Sequence, residues 1–257
     1  MKKLILLICF ITNILNGQNS NEAEKIMNSV YDKLIQGDGS LINFEYLFEN
    51  ESHKMEKPID GKLGLFTENR FYLEFNQSSS NEVIQIYNGE SLFTILPEEQ
   101  EIQIDKMEND DEVFIQDIFK NYKTDFKTKI KYKNDNETII ELIPIQKYND
   151  NIYNQCIEEL NLPECLKLPN QCRIGIRDTS KQELEMCLSQ KGGYIENNIL
   201  KIELIINSVQ NQLEAITQLN RYNGKTSIQV KDIKPGDVEL LDIKKPIYDN
   251  FEIIDLR

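Results

Sequence analysis

The sequence predicts a mainly β protein with a few helices, built on one antiparallel sheet and exported from the cytoplasm. Three observations carry that expectation. A short apolar leader opens the chain, a single amphipathic helix follows, and a long series of short alternating strands comes after it.

The leader reads as a secretory signal over residues 1–17. Lys2 and Lys3 give a positive start, and Leu4 to Ile14 is an apolar run of about 11 residues, short of the roughly 20 that a spanning helix needs. Gly17 is a small residue suited to cleavage, with Leu15 an imperfect partner two positions before it. Asn13 and Asn16 weaken any reading of this stretch as an anchor, and no Cys follows the cleavage site to take a lipid. The remaining length suits one large β domain. The formal net charge of −14 repels phosphate backbones, so nucleic-acid binding is not expected.

Residues 21–35 carry Ala23, Ile26, Met27, Val30, Tyr31 and Leu34 at helical spacing, with Asn19 and Glu22 as a capping start and Gly37 as a stop. Strands follow closely. In 41–49, Ile42, Phe44, Tyr46 and Phe48 alternate with polar residues. Leu63 and Leu65 continue the pattern, then Phe71, Leu73 and Phe75 in 70–76. Residues 83–87, with Ile84 and Ile86, and 91–96 flank Asn88-Gly89, a strong hairpin signal. Ile102 and Ile104 extend the meander. The acidic run Asp105 to Glu112 lacks the spaced calcium-loop pattern and reads as a solvated loop.

Residues 111–122 return to helical spacing through Phe114, Ile115, Ile118, Phe119 and Tyr122. Strands resume at 126–133, where Lys127, Lys129, Lys131 and Lys133 line one face, and at 138–143, 199–206, 213–222, 226–233 and 251–256, with Asn223-Gly224 as a turn.

Residues 148–197 read as an insertion. Ile152, Cys156 and Leu160 share one helical face. Ser180 and Glu183 form a capping box, Leu184, Cys187 and Leu188 share a second face, and Gly192-Gly193 ends that helix. Cys156, Cys165, Cys172 and Cys187 are an even, clustered set in an exported chain, which reads as two disulfides. A four-thiolate zinc site is the competing reading, but the set has no close Cys pair and no nearby His. Of the three connectivities allowed, antiparallel helices favour Cys156 with Cys187 and Cys165 with Cys172.

No catalytic constellation is visible. The single His, His53, sits in a polar stretch, and no nucleophile elbow, zinc-protease, phosphate-loop or dinucleotide motif occurs. The chain is not expected to be an enzyme, nor to need a metal or cofactor.

Several strings together resemble the outer-membrane lipoprotein carrier family (LolA). The helix passing into "SLINFEYLFE" is similar to that family's opening. "GKLGLFTENRFYLEF" resembles its next hairpin, "IYNGESLFTILPEEQEIQI" its turn, apolar strand and return strand, and "FEIIDLR" its closing strand, above all in Bacteroidetes members. The resemblance implies an unclosed antiparallel β-barrel, a half-barrel, with helices as a lid on the concave face. It implies a periplasmic carrier that shields lipoprotein acyl chains between an inner-membrane ABC-type lipoprotein-releasing transporter and an outer-membrane acceptor, acting as a monomer. The cavity would be lined by Ile42, Phe44, Tyr46, Phe48, Leu63, Leu65, Phe71, Leu73, Phe75, Ile84 and Ile86, with Phe114, Ile118 and Phe119 from the lid. Many carriers have an Arg-Pro pair in the first hairpin whose Arg ties the lid shut. Thr67 and Glu68 stand there in this chain, and Arg70, three residues on, does not inherit the role. The insertion is foreign to the common pattern. An alternative function is a non-carrier lipid- or protein-binding or sensor domain on the same scaffold.

Overall fold

The computed structural model describes residues 20–76, 82–106, 122–162 and 178–257. The expected start of the first helix at Asn19, most of the acidic run and residues 111–121 of the helix expected over 111–122 lie outside the described residues, as do Cys165 and Cys172. The chain divides into two compact units, one formed by Pro144–Asn198 and the other by the residues on either side of it.

The larger unit opens with helix α1, residues 20–34. Gly37, at φ +67°, ends its final turn. Strands β1 (Ser40–Glu49), β2 (Ile59–Leu65), β3 (Phe71–Asn76), β4 (Val83–Tyr87), β5 (Leu92–Leu96) and β6 (Glu101–Asp105) follow as a meander. After residues 122–125, which are helical, come β7 (Phe126–Lys133) and β8 (Glu137–Pro144). Within the smaller unit lie β9 (Lys147–Tyr148) and β10 (Tyr194–Ile195). The larger unit then resumes with β11 (Ile199–Asn207), β12 (Gln212–Asn220), β13 (Lys225–Pro235) and β14 (Glu252–Asp255).

The larger unit's strands form a single unclosed sheet of twelve in the order β14-β6-β5-β4-β3-β2-β1-β13-β12-β11-β8-β7. Next to its centre lies the pairing of β1 with β13, which joins Ser40 to Pro235 and Glu49 to Lys225. Asn88-Gly89 makes the β4–β5 turn: the Asn88 side chain accepts from the backbone N–H groups of Glu90 and Ser91, both at 3.0 Å, and Gly89 takes φ +102°. At one edge, the lysine row on β7 is partly paired. Lys129 meets Glu141 and Lys131 meets Glu203, each at 2.7 Å. Charged side chains along an edge strand discourage pairing with another sheet.

The other edge departs from the expected continuation of an antiparallel sheet. β14 pairs parallel with β6, Glu252 against Glu101 and Asp255 against Ile104. Between β13 and β14 the chain crosses one face of the sheet through two 3-10 turns, Val238–Leu241 and Pro246–Tyr248, and returns in the direction of β6.

Each face has its own apolar core. One contains the α1 stripe with residues from both halves of the sheet. The opposite one contains Phe66, Tyr72, Ile84, Ile86, Phe93, Ile95 and Ile102, packed against Leu240, Leu241, Ile243, Tyr248 and Phe251 of the crossing segment. Register explains the division. Tyr72 opposes Ile86, Ile86 opposes Phe93, and Ile95 opposes Ile102, and cross-strand partners share a face.

In the smaller unit, the Asn149 side chain caps helix α2 (Asp150–Glu159) by accepting from the N–H groups of Asn151 and Ile152. Helix α3 runs over Asp178–Gln190, so Ser180 stands inside it and does not cap its start. Gly193 N–H donates to the Leu188 carbonyl at 2.8 Å beyond the helix end. Cys156, Ile157, Leu184, Cys187 and Leu188 form its core, and Cys156 is bonded to Cys187 across a Cα separation of 5.9 Å. Antiparallel pairing of β9 with β10 brings the two ends of the unit together.

Candidate functional site: the helix-covered face

The candidate site is the sheet face under α1. Alternation in β1–β3 brings six of the expected lining residues together. Ile42, Phe44, Leu63, Leu65, Phe71 and Leu73 are buried in one cluster with Ala23, Met27, Val30 and Leu34 of α1. Tyr46 and Phe75 are half-buried against it. Their rings meet edge-on at 5.5 Å, and the Phe75 ring also meets that of Phe44 at 5.8 Å. Phe48 is half-buried at the end of β1.

Two other expected lining residues sit elsewhere. Ile84 and Ile86 belong to the opposite core, beneath the C-terminal crossing segment. In β4 it is Tyr87 that packs on the α1 side, opposite Phe71. Ile84 and Ile86 share one face of β4, and which face that is follows from the register with β3, which places Tyr72 beside Ile86. Phe114, Ile118 and Phe119 lie outside the described residues.

Much of this face comes from strands that were expected only to complete the sheet. Ile140 and Leu142 of β8, Ile202, Leu204 and Ile206 of β11, and Leu213 and Ile216 of β12 are buried in the same cluster. Their signal was present as the period-two spacing of Ile202, Leu204 and Ile206. Ile228, Val230 and Ile233 of β13 remain half-buried beside it.

Glycine shapes both faces of β2. A Cβ on Gly61 would stand 2.6 Å from Cε2 of Phe44, so the bare backbone is what seats that ring. A Cβ on Gly64 would stand 2.7 Å from Cε2 of Phe66 on the other face. Each strand glycine thus marks a close approach of an aromatic ring.

Polar ties hold α1 along its length. Glu22 pairs with Lys133 of β7, and the side chains of Asn211 and Ser29 are hydrogen-bonded. Lys33 Nζ donates to the Gln210 carbonyl at 2.5 Å. Tyr122 is 2 % exposed, and its hydroxyl donates to Asn28 Oδ1 at 2.8 Å, with the Glu24 carbonyl as a second acceptor at 3.1 Å. Burial, and then the Glu24 charge, push this phenol up to about 12. Lys123 Nζ sits over its ring, 5.6 Å from the centroid.

Arg70 is occupied within its own hairpin. It donates to Thr67 O at 3.1 Å and to Thr67 Oγ1 at 3.2 Å. On the face opposite α1, Glu74 is 5 % exposed, receives the Tyr72 hydroxyl and pairs with Lys62 at 2.7 Å. Burial, and then the hydrogen bond to Glu74, raise the Tyr72 phenol far above its usual range. His53 lies exposed in a turn, its N–H donating to Asn50 Oδ1 at 2.6 Å. Among the described residues no cluster of three or more His, Cys, Asp or Glu could hold a metal, and no helix is long and apolar enough to cross a membrane.

Fold and site together define a mainly β protein with an open sheet and a helix laid along one apolar face. No protein-family model matches the chain, and no curated protein matches it. Among solved structures, it is similar to an uncharacterized conserved protein from Thermus thermophilus at 9 % identity and a TM-score of 0.49, over 91 % of this chain and 99 % of that one. A LolA superfamily protein from Nitrosomonas europaea aligns at 10 % identity and a TM-score of 0.38, over 84 % of this chain and 94 % of its own. LprF from Mycobacterium bovis aligns at 9 % identity and a TM-score of 0.39, over 86 % and 97 %. At these identities no residue role passes from them to this chain.

Proposed function

We propose that this chain is a periplasmic carrier that shields the acyl chains of lipoproteins beneath α1 during transfer from the inner to the outer membrane. The single observation that supports the reading most is how α1 sits. Its apolar stripe is almost fully buried, with Met27 at 0 %, Val30 at 1 % and Leu34 at 3 % exposure, and its partners are side chains of the sheet face. Such a helix is a surrogate occupant for a ligand of the same chemistry.

Magnitudes make the exchange feasible. Burying Met27, Val30 and Leu34 stabilises the covered state by roughly 5–9 kcal/mol, at about 1.5–3 kcal/mol for each side chain. One long acyl chain, at about 0.8 kcal/mol per methylene, gains on the order of 10 kcal/mol from an equivalent surface. The two are comparable, so cargo could replace the helix and be released again without a covalent step. The half-buried Tyr46, Phe75, Ile228 and Val230 at the margin of the cluster are where a chain would first make contact. Donor and acceptor would be an inner-membrane lipoprotein-releasing transporter and an outer-membrane receptor, as the sequence resemblance implies.

The experiment is uptake of a fluorescent fatty-acid probe by the purified protein and by Phe75→Asp, with lipid co-purifying from the periplasm identified by mass spectrometry. A carboxylate on this face should abolish uptake while export and folding persist. Equal uptake by the folded variant would refute the cavity. Bound lipid without transfer of a lipoprotein would favour a non-carrier binding domain.

A further inference from the structure

We propose that the Tyr122 hydroxyl is the latch that holds α1 over the apolar face. This inference rests on the carrier reading for its consequence, control of cargo entry, but the latch itself can be tested without cargo.

The position of the hydroxyl carries the proposal. Tyr122 is among the largest fully buried side chains, and its ring lies in the same cluster as the α1 stripe. Its one polar atom lies at α1, 2.8 Å from Asn28 Oδ1 and 3.1 Å from the Glu24 carbonyl. These two acceptors are one helical turn apart, so a single hydroxyl engages successive turns of α1. Both bonds are partly buried, and a donor held at the margin of the core by its own ring favours keeping its acceptors over going unsatisfied.

The other ties to α1 are weaker candidates. The Lys133–Glu22 pair has side chains 45 % and 51 % exposed, so each partner is readily rehydrated when the contact opens. Lys33 and Gln210 meet at an exposed site. The bond between Asn211 and Ser29 is partly buried, like those of Tyr122, but it is a single contact on α1 at the β11–β12 turn and neither side chain belongs to the core cluster. Of these ties, that of Tyr122 alone combines a side chain seated in the core with two contacts on α1. Removal of its oxygen would leave the packing of the ring in place and take away only the directional hold.

The test uses amide hydrogen exchange on the full chain. In Tyr122→Phe, peptides within 20–34 should exchange roughly five- to tenfold faster, the factor that the loss of about one hydrogen bond gives. Peptides from β1 and β12 should keep their protection, and fluorescent fatty-acid uptake should quicken. Asn28→Ala, at an exposed position on α1, should speed exchange in the same region and add little to Tyr122→Phe. Lys133→Ala should change exchange less than twofold.

Wild-type exchange over 20–34 in folded Tyr122→Phe overturns the proposal. So does an equal acceleration in α1, β1 and β12, which would signify a general loss of stability. Independent, additive effects of Asn28→Ala and Tyr122→Phe overturn it as well. Faster exchange in α1 with no probe uptake by either protein would uphold the latch and refute the carrier reading.

Discussion

The ring of Phe44 lies directly on the backbone of Gly61, its cross-strand partner in β2, where a methyl group would stand 2.6 Å from ring atom Cε2. The strand glycine is therefore a seat for the central aromatic of the α1 face. Gly61→Ala should push that ring into Phe75 and the α1 stripe. A destabilisation of about 1–3 kcal/mol is expected from overpacking, read as a lower midpoint in denaturant. An unchanged midpoint would mean that the ring moves aside freely.

The two faces should respond differently to truncation. Ile86 is 1 % exposed and packs under the C-terminal crossing segment, away from α1. Ile86→Ala should cost roughly 2–5 kcal/mol of stability. Probe uptake by the fraction that remains folded should match wild type. Loss of uptake in folded Ile86→Ala would place the ligand on the wrong face.

Alkaline pH should weaken the fold through two phenols. Burial raises both Tyr122, to about 12, and Tyr72 above the ordinary phenol value of 10.0. A group whose folded value is raised keeps its proton longer in the native state, so its stabilisation is complete below pH 10. It is then lost as pH rises from about 10 toward 12. Thermal midpoints measured from pH 8 upward should be flat and then fall. Tyr122→Phe should make that fall shallower, and an identical alkaline slope in the variant would refute the assignment.

Reduction should act on one unit only. The Cys156–Cys187 bond spans 31 positions, and the chain-entropy relation gives a loop of that size roughly 3–4 kcal/mol of stabilisation. Under reducing agent, exchange should rise in Asp150–Glu159 and Asp178–Gln190 while β1 and β13 stay protected. Non-reducing peptide mapping checks the bond itself, and finding Cys156 linked to any other cysteine would overturn it.

The sequence carried some elements completely and others only in part. Val30 and Leu34 marked the buried side of α1 because a helix brings every third or fourth residue to the same side. Asn88-Gly89 marked its hairpin because the Asn88 side chain and the left-handed glycine make that turn by themselves. The cysteine faces of two helices pointed to Cys156 with Cys187. Ile84 and Ile86 were legible as a buried pair, but the layer above them was not. Tyr122 was legible as an apolar helical position, while its hydroxyl's role depends on α1, ninety-four residues away from it at Asn28.

What the sequence determined by itself, then, was a set of features that depend on neighbours within a few positions. That includes the alternation in β1 and β3, the α1 stripe, the Asn88 turn and the lysine row of β7, though not its place at the edge of the sheet. Tertiary structure decided which covering element each face receives. It set β1 against β13 next to the middle of the sheet, sent the Val238–Tyr248 segment over Ile86, and turned β14 parallel to β6. The physical reason is that side-chain periodicity fixes which residues share a face. Long-range pairing and burial then fix what that face meets, and no local pattern encodes them.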